Sequence, residues 1–455
     1  VNRRNFLQSS AATAALATLP FSIAASDKSG GKKFRTVLIG CGWWGNNILR
    51  EALASGSCEL VALCDVDSRQ FELTMQNGAA GSGSTPKLFK DYRECLAEMK
   101  PEIAIIGTPD HWHALPMIAA VKAGAHVYVE KPIAHTVGEG RAMVNAARTT
   151  GRVVQVGTHR RISPHNVSGR EFIRSGKIGE IGMVRCFVNY GGAGPEKPLP
   201  TVEVPKELDW NLWCGPAPLR PFNGGDPREP NQGAGNRGIH PRGFRNYLDY
   251  ANGTLGDWGI HWLDQVLWVT GERHPKRIYS TGGRPIAGPA VSTANEQTTD
   301  APDHQLATFS FDKFDVQWEH RRFANNNTDK GENVGCYFYG TKGIFHMGWQ
   351  KGWSFYPSDS KNPVVTEAPA LNQPDSQNIK ELWADFLHAI RTGNKPVCDI
   401  GEIQLATDMA LLGMLSLKHG RSLDWDGAKG RILNDDAANQ LLRRPYRKGW
   451  EYPSA

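Results

Sequence analysis

The 455-residue chain has eight cysteines but no CxxC pair; they are scattered at positions 41, 58, 64, 95, 186, 214, 336 and 398. That spacing argues against a disulfide framework and against a metal site. Several of these cysteines fall in apolar runs, where a thiol packs as a small hydrophobe. An excess of one charge is also lacking: 52 Lys and Arg against 46 Asp and Glu leave +6, spread along the chain. The one basic cluster, RRPYRKGW from Arg443 to Trp450, is short and mixed with proline and aromatics, so no nucleic-acid partner is expected. Internal repeats and low-complexity blocks are missing. No apolar run comfortably spans a bilayer, which speaks against stable membrane insertion.

The amino terminus is what stands out first. VNRRNFLQ carries Arg3 and Arg4, then Phe6 and Leu7; an uncharged Ala/Leu run and a small-residue exit at Ser22 to Ser26 follow. The pattern resembles a twin-arginine export signal, which implies a periplasmic or otherwise exported protein. That route carries folded proteins, and a protein folded in the cytosol has no need of disulfides. A polar linker, SDKSGGKK, closes this segment at residue 33.

From Phe34 to about residue 160, short β-rich runs alternate with amphipathic stretches: FRTVLIG, ELVALCD, EIAIIGTP, HVYVEKP and RVVQVGTH are separated by helix-length segments. Such alternation predicts βαβ units and a parallel sheet. Past Ile181 the runs MVRCFVNY, RIYSTGG, HQLATFSF, KFDVQWEHR, GCYFYGTKGIFHM and GWSFYP have few helical intervals, which predicts a large, mainly antiparallel sheet. Residues 191–246 are rich in Gly, Pro and Asn and read as long loops. Two helical segments close the chain, each ending at a glycine. The expected organisation is a signal and linker (1–33), a nucleotide-binding domain (34–160) and an α+β domain (161–455), with the closing helices packing back on the first.

VLIGCGWWGNN places Gly40, Gly42 and Gly45 in GxGxxG spacing between a strand-like and a helix-like run. The first glycine permits the turn, the second lets a pyrophosphate approach, and the third lets helix and strand pack closely. Asp65, twenty residues beyond Gly45, ends the next run, where a carboxylate can accept from a ribose diol. NAD is therefore expected; Arg69 leaves NADP open. Trp43, Trp44, Thr108 and Pro109 are expected to line the cofactor cleft, with Glu130 and Lys131 at its nicotinamide end. His113 should begin the helix after TPD, close to the cofactor. His111 and His113, only two apart, do not make a metal site.

In GDWGIHWLD, Asp257, His261 and Asp264 recur at intervals of four and three, the spacing of one helix face, inside a segment that otherwise reads as core. Lys131 in VYVEKP lies at the end of a strand-like run, where α/β sheets bind ligands. Removing hydride from a secondary alcohol leaves a hydroxyl proton, and a neutral imidazole is the side chain nearest to that need. Asp257 could hold the imidazole or a sugar hydroxyl, and Lys131 could stabilise charge on the substrate oxygen. Trp210 and Trp213, with Arg242, Arg245 and Tyr247, could bind a sugar or pack at a domain boundary.

The GCGWWG turn, the TPDHWHALPMIAAVKAGAHVYVEKP block and D-x-x-x-H together resemble the Gfo/Idh/MocA family (glucose-fructose oxidoreductase and inositol dehydrogenase), and its secreted branch in particular. The resemblance implies a Rossmann domain followed by an α/β domain with an open sheet that forms substrate wall and oligomer interface, hence a homo-oligomer. It implies Lys131, Asp257 and His261 as catalytic residues and a carbohydrate or polyol substrate. The family arginine after EKP maps onto Arg160, with His159 and Arg161 as neighbours and Arg245 and Tyr247 as further substrate contacts. The expected activity is an NAD(P)-dependent sugar or polyol oxidoreductase with a tightly held cofactor. The alternative is an NAD-dependent glycoside hydrolase or keto-sugar lyase that oxidises its substrate transiently; the Tyr-Pro-Thr-His motif of known glycosidases of this kind is not in the sequence.

Overall fold

The computed structural model describes residues 32–228, 238–324, 329–373 and 376–454. The export-signal segment lies outside them. Six strands, β1 (Phe34–Ile39), β2 (Cys58–Cys64), β3 (Lys87–Phe89), β4 (Ile103–Ile106), β5 (His126–Val129) and β6 (Val154–Val156), form one sheet in the order β3-β2-β1-β4-β5-β6. Every pairing in it is parallel. Val37, Leu38, Ile103, Ile105 and Val127 are fully buried, as strands covered on both faces require. The crossover helices are α1 (Trp43–Ala54), α2 (Arg69–Asn77), α3 (Tyr92–Met99), α4 (Ala114–Lys122) and α5 (Val137–Thr150). Helix α5 starts with a Thr136/Glu139 capping box and stops at Gly151, whose φ of 65° suits a residue without Cβ. Strand order reverses between β1 and β4, and this switch point is where such sheets bind ligands.

After helix α6 (Pro164–Arg174), ten strands form a second sheet: β7 (Ile181–Asn189), β8 (Arg277–Gly283), β9 (His304–Ser310), β10 (Asp315–Arg321), β11 (Val334–Gly340), β12 (Gly343–Gly348), β13 (Trp353–Pro357), β14 (Val365–Glu367), β15 (Leu423–Asp426) and β16 (Arg431–Ile432). Their order is β14-β13-β12-β11-β7-β10-β9-β8-β15-β16, and only the β7–β10 pair is parallel. Alternating burial along β9 and β10 shows one face turned to the core. Helices α7 (Ile260–Thr270) and α9 (Ile400–His419) cover that face, and α8 (Ile379–Thr392) packs on α1. Helix α9 is long and apolar enough to cross a membrane, yet it is a buried core helix wedged against α5, α7 and β8.

The last residues return to the parallel sheet's side. Gly138 N–H donates to the Leu442 carbonyl at 2.9 Å, Arg444 and Tyr446 both bond Glu139 of helix α5, and Trp450 meets Trp112 edge-on at 4.9 Å. Residues from 208–222 and 239–251 form a separate small core around Trp210, Trp213, Phe222, Phe244, Tyr247 and Tyr250. Trp210 and Trp213 stack on each other at 4.6 Å within this core.

Candidate functional site

The cleft at the switch point is built from strand ends. Gly40 follows β1 with φ 89°, and a Cβ there would lie 2.6 Å from Thr108 N. A Cβ on Gly45 would meet the Gly40 carbonyl oxygen at 2.3 Å, so only glycine lets α1 start this close to β1. Gly42 differs: a Cβ on it would meet nothing within 4 Å, leaving open space above the helix start. No side chain caps α1, so its first N–H groups and its dipole face that space, the arrangement that binds a pyrophosphate. Gly40, Gly42, Trp43, Trp44, Asp65, Thr108 and Pro109 line the cleft, and from the second half Leu212, Trp213, His240, Arg242 and Arg245 close over it. This cover comes from the Gly-, Pro- and Asn-rich region and the short helix within it, more than 140 residues downstream of the glycine turn.

Asp65 accepts from Cys41 N–H at 2.7 Å and Asp67 N–H at 2.9 Å; burial raises its pKa to about 7 against the pull of those donors. Arg69 is bound in a fork by Asp67, at 2.8 and 2.7 Å, and Asp67 also pairs with His240 at 2.8 Å. The Arg69 guanidinium is thus already paired with Asp67. The site fits the diphosphate and ribose diol of NAD.

At the end of β5, Lys131 Nζ donates to Asp257 Oδ1 at 2.6 Å and to the Asp257 carbonyl at 2.9 Å. Arg245 Nε donates to the same Oδ1 at 3.2 Å. Burial works against the Asp257 carboxylate, but Lys131 and Arg245 outweigh it and hold the pKa below the ordinary value. Arg245 therefore sits on Asp257 at the edge of the cofactor cleft. Asp110 lies in the same field, and burial raises its pKa to about 7.

Asp257 belongs to a π-helical turn, Leu255–Gly259, that leads into α7; such turns gather at functional sites. The three residues of the stripe take three different partners. Asp257 bonds Lys131 and Arg245 rather than the imidazole. His261 packs with His159 and Trp349 at 5.5 and 5.0 Å between ring centres. Asp264 receives Arg161 in a buried fork, at 3.0 Å from Nε and 2.7 Å from Nη2. Burial, then Lys131 and Arg160, push the His261 pKa well below its ordinary value, so the ring is neutral at pH 7. His159 is held neutral in the same way, by burial and then Arg160.

Three expected contacts sit elsewhere. Arg161 is spent on Asp264. Tyr247 is fully buried in the small core, where its hydroxyl accepts from Asn223 at 3.1 Å. His113 lies beneath the cleft as a brace, with Nδ1 2.6 Å from the Pro132 carbonyl and Nε2 2.8 Å from that of Thr108. Two carbonyls favour the doubly protonated ring, but burial lowers its pKa to about 4, so only one of the contacts is a hydrogen bond at neutral pH. Glu130 is buried behind Lys131, accepting from the Lys131 N–H at 3.1 Å and from Tyr128. Trp349 and Glu332, from the turns beside β11 and β12, carry no sequence signal for the site and approach His159 and Arg160 only in three dimensions.

Residues 34–158 match the NAD-binding Rossmann-fold domain of the oxidoreductase family Gfo/Idh/MocA, and residues 187–281 and 329–452 match its C-terminal alpha/beta domain. The chain belongs to the Gfo/Idh/MocA family. Residues 1–20 match the signal sequence of the twin-arginine translocation pathway, which marks this family member for export by that route. An inositol 2-dehydrogenase of Salmonella typhimurium is 30% identical over 149 residues, 32% of this chain and 43% of that protein. A glycosyl hydrolase family 109 protein of Parabacteroides distasonis is 27% identical over 201 residues, 42% of each. The alignments span less than half the length of these curated relatives. A levoglucosan dehydrogenase solved with NADH and L-sorbose shares the fold, with a TM-score of 0.65 at 18% identity over 87% of this chain and 99% of that one.

Proposed function

We propose that this Gfo/Idh/MocA protein is an exported NAD-dependent oxidoreductase that moves hydride between a secondary alcohol carbon of a carbohydrate or polyol and a tightly held nicotinamide. In this reading residues 34–160 hold the dinucleotide, and residues 161–455 supply the substrate wall and the surface through which the protein forms a homo-oligomer. One observation carries the proposal: the Lys131–Asp257 pair and a neutral His261 stand together at the carboxyl ends of the strands, at the rim of a cleft built for a dinucleotide.

Bound NAD supplies the hydride acceptor. His261, neutral because it is buried beside two cations, takes the hydroxyl proton as the carbonyl forms. Lys131 has hydrogen-bond donors to offer the substrate oxygen, where partial negative charge is stabilised. Asp257 fixes the ammonium, and Arg245 holds the other flank of Asp257. The cover formed by Leu212, Trp213, His240, Arg242 and Arg245 supports cofactor retention, which an exported dehydrogenase needs where free nicotinamide is scarce.

The glycosyl hydrolase family 109 relative favours a second reading, in which oxidation is transient and a glycosidic bond is cleaved before the hydride returns. A ketone beside the ring C–H makes that hydrogen acidic, so cleavage needs a base but no carboxylate pair. The test is to purify the folded protein, denature it and assay released NAD(H), then to incubate the native protein with sugars and aryl glycosides without added cofactor. NAD(H) release with oxidised sugar supports the first reading; released aglycone supports the second. Protein that neither carries nor binds NAD overturns both.

A further inference from the structure

Arg160 and Arg161 are adjacent, equally buried and oppositely treated. Arg161 is satisfied by Asp264. Arg160 is 1% exposed, and none of its three guanidinium nitrogens has a hydrogen-bond partner. Among the described residues, no other arginine has all three nitrogens buried and unpartnered. Its guanidinium sits over the Trp349 ring, with Cζ 3.6 Å from the ring centre, a contact that does not use its N–H groups. Burial lowers its pKa to about 9, so it remains a cation at neutral pH.

No acid nearby is available to it. Glu332, the one carboxylate acting on Arg160, spends its oxygens on the N–H groups of Trp349 at 2.7 Å and Lys351 at 2.6 Å, which anchors the turn carrying Trp349. Asp257 is taken by Lys131 and Arg245. The other groups around Trp349 and Arg160 are neutral imidazoles, and His159 Nδ1, His261 Nδ1 and His165 Nε2 are also buried without partners. A buried cation with unused donors is destabilising unless an anion completes it. A planar fork on an aromatic face suits a bidentate carboxylate.

We propose that Arg160 receives the carboxylate of the substrate, so that the natural substrate class is an acidic sugar, a uronate or related sugar acid, rather than a neutral one. This rests on the oxidoreductase reading for what happens next, but the anion site stands on its own geometry. His261 and Arg160 share the Trp349 ring, so a carboxylate on Arg160 would hold a neighbouring hydroxyl of the same sugar near the base.

The test reads binding, not turnover. Full-length protein carrying its cofactor is titrated calorimetrically with D-glucuronate, D-galacturonate, D-glucose and glucose 6-sulfate, using wild type, Arg160→Met and Arg160→Lys. The expected result is that a uronate binds at least about tenfold more tightly than glucose, that Arg160→Met abolishes the difference, and that Arg160→Lys keeps part of it. Because Arg160→Met removes an unpaired buried charge, the ligand-free variant should melt no lower than wild type, whereas a merely structural arginine would lower it. Equal binding of glucose and both uronates by wild type overturns the proposal, as does selectivity that survives Arg160→Met. Tighter binding of the 6-sulfate than of either uronate overturns the carboxylate assignment. Uronate selectivity in a protein that oxidises no sugar would sink the dehydrogenase reading alone; sugar oxidation without uronate selectivity would sink the anion site alone.

Discussion

Lys131 and Asp257 are 126 positions apart in sequence and in direct contact, with Nζ 2.6 Å from Oδ1. The contact joins the end of β5 to the π-helical turn before α7, so one ion pair sets the position of the lysine over the cleft. Lys131→Met should lower kcat by about 10²- to 10³-fold, the cost of removing one donor to developing charge. Cofactor content, measured as NAD(H) released on denaturation, should stay at the wild-type level. Near-native kcat would take Lys131 out of the chemistry.

His261→Gln should lower kcat by about 10²- to 10⁴-fold, as loss of a general base does, with unchanged circular dichroism. The pH profile gives an independent check. The base works unprotonated, and burial with Lys131 and Arg160 depresses its pKa below 6.5. For wild type, kcat should therefore stay flat from pH 8 down through 6.5 and fall only below that; an acid limb centred at or above 6.5 would exclude His261.

The two glycines of the turn should fail differently. Gly42 has φ −70° and open space at its Cβ, so Gly42→Val should fold with the thermal stability of cofactor-free wild type yet lose NAD, as read by cofactor fluorescence titration. Gly45→Ala puts a methyl 2.3 Å from a backbone oxygen and should lower the melting temperature as well. Retained NAD affinity in Gly42→Val would place the diphosphate elsewhere.

Breaking the Arg161–Asp264 pair should be a stability lesion. Asp264→Asn leaves a buried guanidinium without its counter-charge, at a cost of about 3–5 kcal/mol, while an apolar replacement of both partners costs far less. Chemical denaturation of the single and the double variant measures this. Equal loss in the single and double variants would contradict the buried-pair account.

Acid should destabilise the fold from about pH 6.5 downward. Ten histidines, 111, 113, 126, 135, 159, 165, 261, 274, 320 and 346, have folded-state pKa values lowered chiefly by burial. Below 6.5 the unfolded chain takes up protons that these rings refuse, so stability falls as pH falls. Asp65, Asp110 and Asp408, raised to about 7 by burial, and Glu130, Asp264 and Asp385, also raised by burial, act in the opposite sense because their folded forms bind protons first. The histidines outnumber them, and the melting temperature should drop between pH 7.5 and 5.5.

The parallel sheet was legible because each of its long strands is a compact apolar run followed by a helix-length segment. Strand β3 escaped notice: it has three residues, two of them exposed. Helix α3 announces itself by Asp91, which caps the Arg93 N–H, and α6 by Pro164 at its first turn; both local signals were available. GCYFYGTKGIFHM read as one run but folds as the β11–β12 hairpin, turning at Thr341 and Lys342. In the site, Lys131, Asp257 and His261 could be named from their motifs. The seat of Arg245 on Asp257, the diversion of Arg161 to Asp264 and the Trp349 platform could not, because each depends on segments brought together only by the fold. Tyr247 looked polar and loop-borne, and instead fills a small core.

The return of residues 442–452 to helix α5 and Trp112 bears on the order of events in the cell. Glu139, buried at the start of α5, waits for Arg444 and Tyr446, which leave the ribosome about 300 residues later. The half of the molecule made first thus stays unfinished until the half made last arrives. For a chain that carries the signal of a pathway for folded cargo, residues 442–452 must therefore be made before the contacts of helix α5 are complete.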